Sequence, residues 1–387
     1  MKSLIESLSS PHITAYFQRF CGVQWRCSDP DDPIFPAELL QNNDIKKSDE
    51  IIPDDYIIKN KMVYYAMQIG SHLAGEPFYY AFLPICSWMI NVGVARKTLT
   101  KLALVMYIGQ SSKDILRETR PSSPPVIRLE EMYVTEYGMP STHTMAGTVA
   151  PFALYAFSRQ IYQIPDRKCL IAATLWTTLV ASSRIYLGMH SVWQVLVGAL
   201  GAGGILYFSI STVNSFDEKL VENSLWTAGM TAASWLLSVL IFRLDSGLDP
   251  ETGKPRWNTA RGDQAEIMGF CTGFLIGSRW SIHQHLYEYH KPYIFGDKLL
   301  PIPSCDLKNA LIKFALGGLA TISLSVIFRK ISLRFFASIK GVSIEDKTQA
   351  KRHPKVELLY KYSTSMFSGV VCTTIIPYVL NELNLWQ

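Results

Sequence analysis

The sequence predicts an all-α fold, a polytopic bundle of about nine transmembrane helices, on two observations. Its 387 residues are 48% hydrophobic and only 18% charged, too apolar for an ordinary soluble protein and too regular for a disordered one. The apolar residues are also concentrated in runs close to the length that crosses a bilayer, separated by short polar loops. In lipid each backbone group must find its hydrogen bond within the protein, so such runs resolve as helices.

The runs lie near residues 74–95, 99–112, 144–160, 168–186, 190–212, 226–243, 263–281, 309–328 and 364–382. Ahead of them, residues 1–60 form a polar N-terminal segment without the charged start, apolar run and small-residue cleavage site of a secretory signal. Within it, "HITAYFQRFCGVQW" reads as a short amphipathic helix, lying on the membrane surface or packed on the protein as a cap. The acidic, proline-bearing stretch 28–55 that follows is expected to be mobile. Residues 61–387 make up the membrane domain.

A net charge of +5 is spread over loops, with no basic stripe interleaved with aromatic residues, which excludes a nucleic-acid partner. Seven cysteines without a CxxC pair point to packing rather than to metal or disulfide chemistry. The segments 96–101 (Arg96, Lys97, Lys101) and 159–168 (Arg159, Arg167, Lys168) read as short basic loops on the cytoplasmic side, which places Lys113, His143 and His190 on the opposite side. The segment 329–361 carries nine Lys or Arg and also reads as a loop, yet strict alternation puts it on that opposite side.

Three segments carry chemistry. In "KDILRETRP", Lys113 and Arg120 are seven residues apart, two helical turns, with Arg117 between them. Three like charges on one face suit a multiply charged anion; snorkelling to lipid headgroups is the plainer alternative. In "EYGMPSTHTMAG", Pro140, Ser141 and Thr142 lead into a helix that begins near His143, either an ordinary cap or an anion site at a helix N-terminus. In "SSRIYLGMHSVWQVLVG", Arg184 closes one span and His190 opens the next. A histidine at a helix start is held toward its neutral, nucleophilic form, although a buried structural histidine would look the same. Together these segments describe a phosphoryl-transfer site that needs no metal and no cofactor: cations for phosphate oxygens, fixed donors and two histidines, with no HxxxH, carboxylate cluster or cysteine–histidine set beside them.

The pattern KxxxxxxRP (Lys113 to Pro121), PS-x-H (Pro140 to His143) and SRxxxxxH (Ser183 to His190) resembles the type 2 phosphatidic acid phosphatase superfamily of lipid phosphate phosphatases. The flanking text "RPSSPPVIRLE", "EYGMPSTH", "SRIYLGMHSV" and "TARGDQ" looks like its sphingosine-1-phosphate phosphatase branch, from about residue 60 to the C-terminus. The resemblance implies a catalytic core at about 99–212 and metal-independent dephosphorylation of sphingosine 1-phosphate and related sphingoid-base phosphates. It makes His190 the nucleophile, through a phosphohistidine, and His143 the acid and then the base. Lys113, Arg120, Ser141, Thr142 and Arg184 would bind the phosphate, and Arg117 matches no motif position. It implies a lipid substrate, contact with membrane lipids, and an endoplasmic reticulum membrane with the site facing the lumen. Thr142 stands where the superfamily commonly has glycine, as it does in the sphingoid branch.

Gln194 is the departure. Four residues after His190 the pattern calls for an aspartate that fixes the imidazole; glutamine offers a carbonyl without charge. Two readings follow: an enzyme, impaired or rescued, or a catalytically weak homologue that binds lipid phosphates as a sensor or scaffold. On the sequence alone, Gln194→Asp is expected to raise turnover.

Overall fold

The computed structural model describes residues 2–25, 56–130, 136–244, 260–287, 299–301, 307–345, 350–351 and 353–385. Two short helices open the chain, α1 (Lys2–Ser9) and α2 (Pro11–Phe20). The Ser10 hydroxyl caps α2 by accepting from the His12 N–H, and Pro11 occupies the first turn. A strand β1 (Val23–Trp25) then pairs antiparallel with β2 (Tyr56–Ile58). This unit is a cap on the protein, not a helix on the lipid surface. The buried amide of Gln18 donates to the carbonyls of Ile127 (2.6 Å) and Tyr186 (2.8 Å) and accepts from the Ile127 N–H, tying α2 to two chain segments that frame the site described below. The stretch 28–55, expected to be mobile, lies outside the described residues.

The bundle comprises α3 (Lys61–His72), α4 (Glu76–Met89), α5 (Val92–Leu116), α6 (Thr142–Ser158), α7 (Asp166–Tyr186), α8 (Val192–Glu222), α9 (Ser224–Leu244), α10 (Ala260–His283), α11 (Leu307–Ile339) and α12 (Pro354–Val370). A π turn (Val371–Ile375) joins α12 to α13 (Ile376–Glu382). Among the described residues five helices are long and apolar enough to cross a membrane: Asp166–Tyr186, Val192–Glu222, Ser224–Arg243, Lys308–Ile339 and Pro354–Glu382. Four of the nine expected runs fall short of that measure of length and hydropathy, for three reasons. The run 74–95 is interrupted after Met89, because Asn91 caps α5 by accepting from the N–H groups of Gly93 and Val94. Helix α6 has 17 residues. Helices α5 and α10 carry too many ionisable side chains, which the fold buries in pairs.

That pairing corrects the reading of 96–101 as a loop. Arg96, Lys97 and Lys101 stand in the first half of α5, facing inward. The Arg96 guanidinium forms a two-bond pair with Asp217 of α8, with Nη2 to Oδ2 at 2.8 Å. Lys97 donates to Asn214 Oδ1 (3.3 Å), and Lys101 to the Ser209 carbonyl. Removing one member of a buried pair strands the other, at a cost of about 3–5 kcal/mol. The segment 329–361 is likewise no simple loop. Arg329, Lys330 and Arg334 lie in α11, and Lys355 and Lys361 in α12. Arg329 pairs with Glu266 at 3.0 Å, and Lys361 lies 4.0 Å from Asp263, 3.8 Å from Glu266 and 3.7 Å from Glu357.

Helix α6 is the axis of the core. It is buried almost all round, from Thr142 to Ser158, by α5, α7 and α8, as expected for a helix apolar on every face. Val149, Ala153 and Phe157 join Val105 and Ala202 in one cluster, while Ala146 and Ala150 join Leu83, Leu102 and Phe274 in another. The free thiols of Cys86, Cys271 and Cys372 are packed in the second. Helices α10 and α12 press together backbone to backbone, since a Cβ at Gly273 would fall on the Met366 carbonyl.

Candidate active site

At one end of the bundle three chain reversals converge: the exit of α5, the entry to α6, and the turn from α7 into α8. Helix α5 stops because Arg117 takes a left-handed conformation (φ 52°). Arg120 therefore lies in the segment after the helix and does not share a helical face with Lys113, as the seven-residue spacing suggested. Arg117 is exposed. The irregular path still delivers Arg120 to the site. Its Nε donates to the Glu136 carbonyl (2.9 Å), and its Nη1 donates to the Met189 carbonyl (2.8 Å) and lies 3.2 Å from His190 Nε2.

The other two cations arrive from helices. Lys113, in the last turn of α5, is 3% exposed and pairs with Glu136 Oε2 at 2.8 Å. Arg184, in the last turn of α7, is fully buried and donates from Nη1 to Glu130 Oε2 and to Ser71 Oγ, both at 2.7 Å. Ser141 is the N-cap residue of α6, yet its hydroxyl pairs with the Thr144 hydroxyl (2.9 Å) rather than with a backbone donor. Thr142 is the first residue of α6, and His143 follows it. His143 and His190 lie within electrostatic reach of each other and of Lys113, Arg120 and Arg184. The structure thus brings all the sequence-predicted groups to one place.

The surroundings of His190 define its chemistry. The ring sits in the turn between α7 and α8, where burial first, then Arg120, Arg184, Lys113 and His143, hold it well below the ordinary histidine range. It is neutral at pH 7. A guanidinium can only donate, so the contact from Arg120 makes Nε2 the acceptor and assigns the proton to Nδ1. Nδ1 lies 2.8 Å from the Gly138 carbonyl and 3.3 Å from Gln194 Oε1. The backbone of Gly138 therefore does most of what the sequence assigned to position 194. A Cβ on Gly138 would sit 2.7 Å from the Gln194 amide, so a larger residue there would displace that side chain.

Gln194 is a strut. Its backbone N–H donates to Ser191 Oγ and its Oε1 accepts from the Ser191 N–H, a capping box that starts α8. Its Nε2 donates to Glu118 Oε1 (3.0 Å) and to the Thr119 carbonyl (2.8 Å), fixing the segment that leads to Arg120. Gly138, Glu118, Glu130, Glu136 and Ser71 were not singled out from the sequence. The acidic pair had a signal: "RLEEMYVTEYG" places carboxylates beside three cations that need counter-charge.

The family profile described as the PAP2 superfamily matches residues 95–217, the stretch that holds Lys113, His143 and His190. The chain is 33% identical over 331 residues to sphingosine-1-phosphate phosphatase 1 of Mus musculus, covering 85% of this chain and 74% of that protein. It is 30% identical over 410 residues to sphingosine-1-phosphate phosphatase 2 of Homo sapiens, covering all of both. A 28% identity over 309 residues relates it to lipid phosphate phosphatase delta of Arabidopsis thaliana, over 73% of this chain and 70% of that one. No solved structure matches.

The geometry reverses the expectation for Gln194→Asp. The shorter carboxylate gives up both donations from Nε2 and stands against Glu118, while Gly138 still holds Nδ1. Phosphate release from sphingosine 1-phosphate should fall by roughly 3- to 10-fold, the scale of one or two lost hydrogen bonds. A gain on the order of 10² or more would show that a carboxylate at 194 supports His190 in a way the Gly138 carbonyl does not.

Proposed function

Since the chain belongs to the sphingosine-1-phosphate phosphatases of the PAP2 superfamily, we propose that it hydrolyses sphingosine 1-phosphate and related sphingoid-base phosphates through a phosphohistidine, without a metal. The observation that carries this reading is the placement of the His190 ring, with Nδ1 2.8 Å from the Gly138 carbonyl and Nε2 3.2 Å from Arg120.

The substrate phosphate takes the place of the Glu130 and Glu136 carboxylates on Arg184 and Lys113, and receives Arg120 and the donors at the start of α6. Nε2 attacks phosphorus as the bond to the lipid alkoxide breaks, and His143, protonated beside the bound phosphate dianion, gives the alkoxide its proton and becomes neutral. The phosphorylated ring is cationic, and the Gly138 carbonyl, now accepting from a stronger donor, stabilises it. Water then attacks phosphorus while His143 takes its proton, the P–N bond breaks, and inorganic phosphate and free His190 are regained. The alternative, a weak homologue that holds lipid phosphates as a sensor or scaffold, rests on Gln194, and the contact from Gly138 weakens it. His190→Ala should trap no labelled phosphate on the protein, whereas the parent should, with a chelator leaving turnover unchanged. Covalent label on His190→Ala, or activity abolished by the chelator and restored by magnesium, would contradict the mechanism.

We place the site on the lumenal side of the endoplasmic reticulum membrane. Helix α6 runs from Thr142, beside His143, to Ser158, so Arg159, Arg167 and Lys168 stand at the opposite end of the core. Lys97, 3.5 Å from Gln160, marks the same end although it lies in a helix. The positive-inside rule makes that end cytoplasmic. Helices α4, α5, α6 and α10 then cross with the five apolar ones, their charges paired inside the bundle, giving nine alternating spans. In intact microsomes, Ser123→Cys in a background lacking the other cysteines should react with an impermeant maleimide only after permeabilisation. Labelling before permeabilisation would invert the topology.

A further inference from the structure

A small cavity of about 40 Å³ opens among α4, α5, α6 and α10. It adjoins the catalytic end: Ala146, in its wall, lies one turn beyond His143 on α6, and Met106 lies two turns before Lys113 on α5. Ile267 and Phe270 of α10 make the wall apolar. Two polar side chains of α4 break it, Glu76 and Tyr79.

Tyr79 is buried with an unpartnered hydroxyl, and Glu76 is half-buried. Glu76 has no hydrogen bond and no ion pair within 4.0 Å among the described residues, although it feels Asp263, Glu266 and Glu136 as well as Lys361. Lys361 lies nearer Glu266 and Glu357, and Arg261 and Arg329 are engaged by Glu357 and Glu266. Glu76 is thus a carboxylate in an apolar wall, among other carboxylates, without a cation of its own. In its charged form such a group is costly unless a cation arrives. Tyr79 supplies an independent sign of a ligand. It is 7% exposed, lines the cavity, and its hydroxyl has no hydrogen-bond partner. The neighbouring Tyr80 hydroxyl, by contrast, is taken up by Ser365 at 3.2 Å.

We propose that this cavity receives the ammonium and hydroxyl of the sphingoid base, with Glu76 binding the ammonium and Tyr79 the hydroxyl, so that Glu76 makes the protein prefer amine-bearing lipid phosphates. The inference rests on the phosphohydrolase reading above and deepens it. A sphingoid-base phosphate carries phosphate on its first carbon, a primary ammonium on the second and a hydroxyl on the third, with the alkyl chain beyond. Its recognition needs an anion beside the phosphate site, a hydroxyl partner next to it, and apolar wall around both. Glu76 and Tyr79, one helical turn apart, meet those needs in that order. The space fits a few water-sized groups, which suits the headgroup and not the chain. A glycerol- or alkyl-derived phosphate brings no cation and gains nothing from Glu76.

The test compares kcat/KM of the purified full-length protein for dihydrosphingosine 1-phosphate and for octadecyl phosphate, which has the same chain length and neither amine nor hydroxyl. The parent should favour the amine-bearing lipid by roughly 10- to 100-fold, the range of a charge-assisted hydrogen bond. Glu76→Gln should lose most of that preference, keeping only the smaller share owed to Tyr79, and keep octadecyl phosphate hydrolysis within about threefold, while Glu76→Asp retains more of it. Tyr79→Phe, a second and milder variant, should lower activity only on the hydroxyl-bearing lipid. An equal fall on both lipids in Glu76→Gln, or no change on either, would overturn the proposal. Should the parent release phosphate from neither lipid, the phosphohydrolase reading fails, and equilibrium binding of the same two lipids decides the proposal. There, a parent without preference, or a Glu76→Gln protein whose preference equals the parent's, overturns it.

Discussion

Charge buried in a membrane protein must be matched, and at this active site the match is provisional. Lys113 and Arg184 are almost completely enclosed, and each is met by a carboxylate from one short segment, Glu136 and Glu130. The carboxylates keep these cations compensated in a medium that screens poorly. Substrate binding in the proposed mechanism is then an exchange of one set of anions for another. The exchange is close to balanced, which favours release of inorganic phosphate at the end of the cycle.

The rest of the molecule holds this arrangement in register. Helix α6, surrounded by α5, α7 and α8, fixes His143 at its first turn. Arg96 with Asp217 locks α5 to α8 at the far end, and Gln194 locks α8 to the segment after α5 at the near end. Arg120 belongs to no helix, and its guanidinium is placed by two carbonyls, from Glu136 and Met189. The His190 ring is oriented the same way, by the backbone of Gly138. Support from backbone tolerates a change of side chain, and this is how a glutamine can stand at position 194 while the imidazole keeps the tautomer its chemistry requires.

Much of this was legible in the sequence. Spacing and residue type located Lys113, Arg120, Ser141, His143, Arg184 and His190, because three segments that each have a plainer reading alone combine into one phosphate-binding set. Three things were not legible. Arg96, Lys97 and Lys101 looked like a loop, since the partners that let them sit in a helix, Asp217, Asn214 and Ser209, are more than 100 residues away. The path of Arg120 depends on a left-handed residue at Arg117, which is not a type that signals such a turn. The support for His190 comes from a main-chain carbonyl, and every residue has one, so no side chain announces it.

The central claim is that Glu136 and the substrate phosphate compete for Lys113. Inhibition by orthovanadate, a phosphate mimic, tests it directly in the parent and in Glu136→Gln, using hydrolysis of a soluble lipid phosphate as readout. With its carboxylate removed, Lys113 is left to the anion, and vanadate should bind tighter by roughly 5- to 50-fold, the scale of one charge-assisted contact. An unchanged or weakened inhibition constant would mean that Glu136 and phosphate occupy the lysine together, and the exchange would not be the basis of binding.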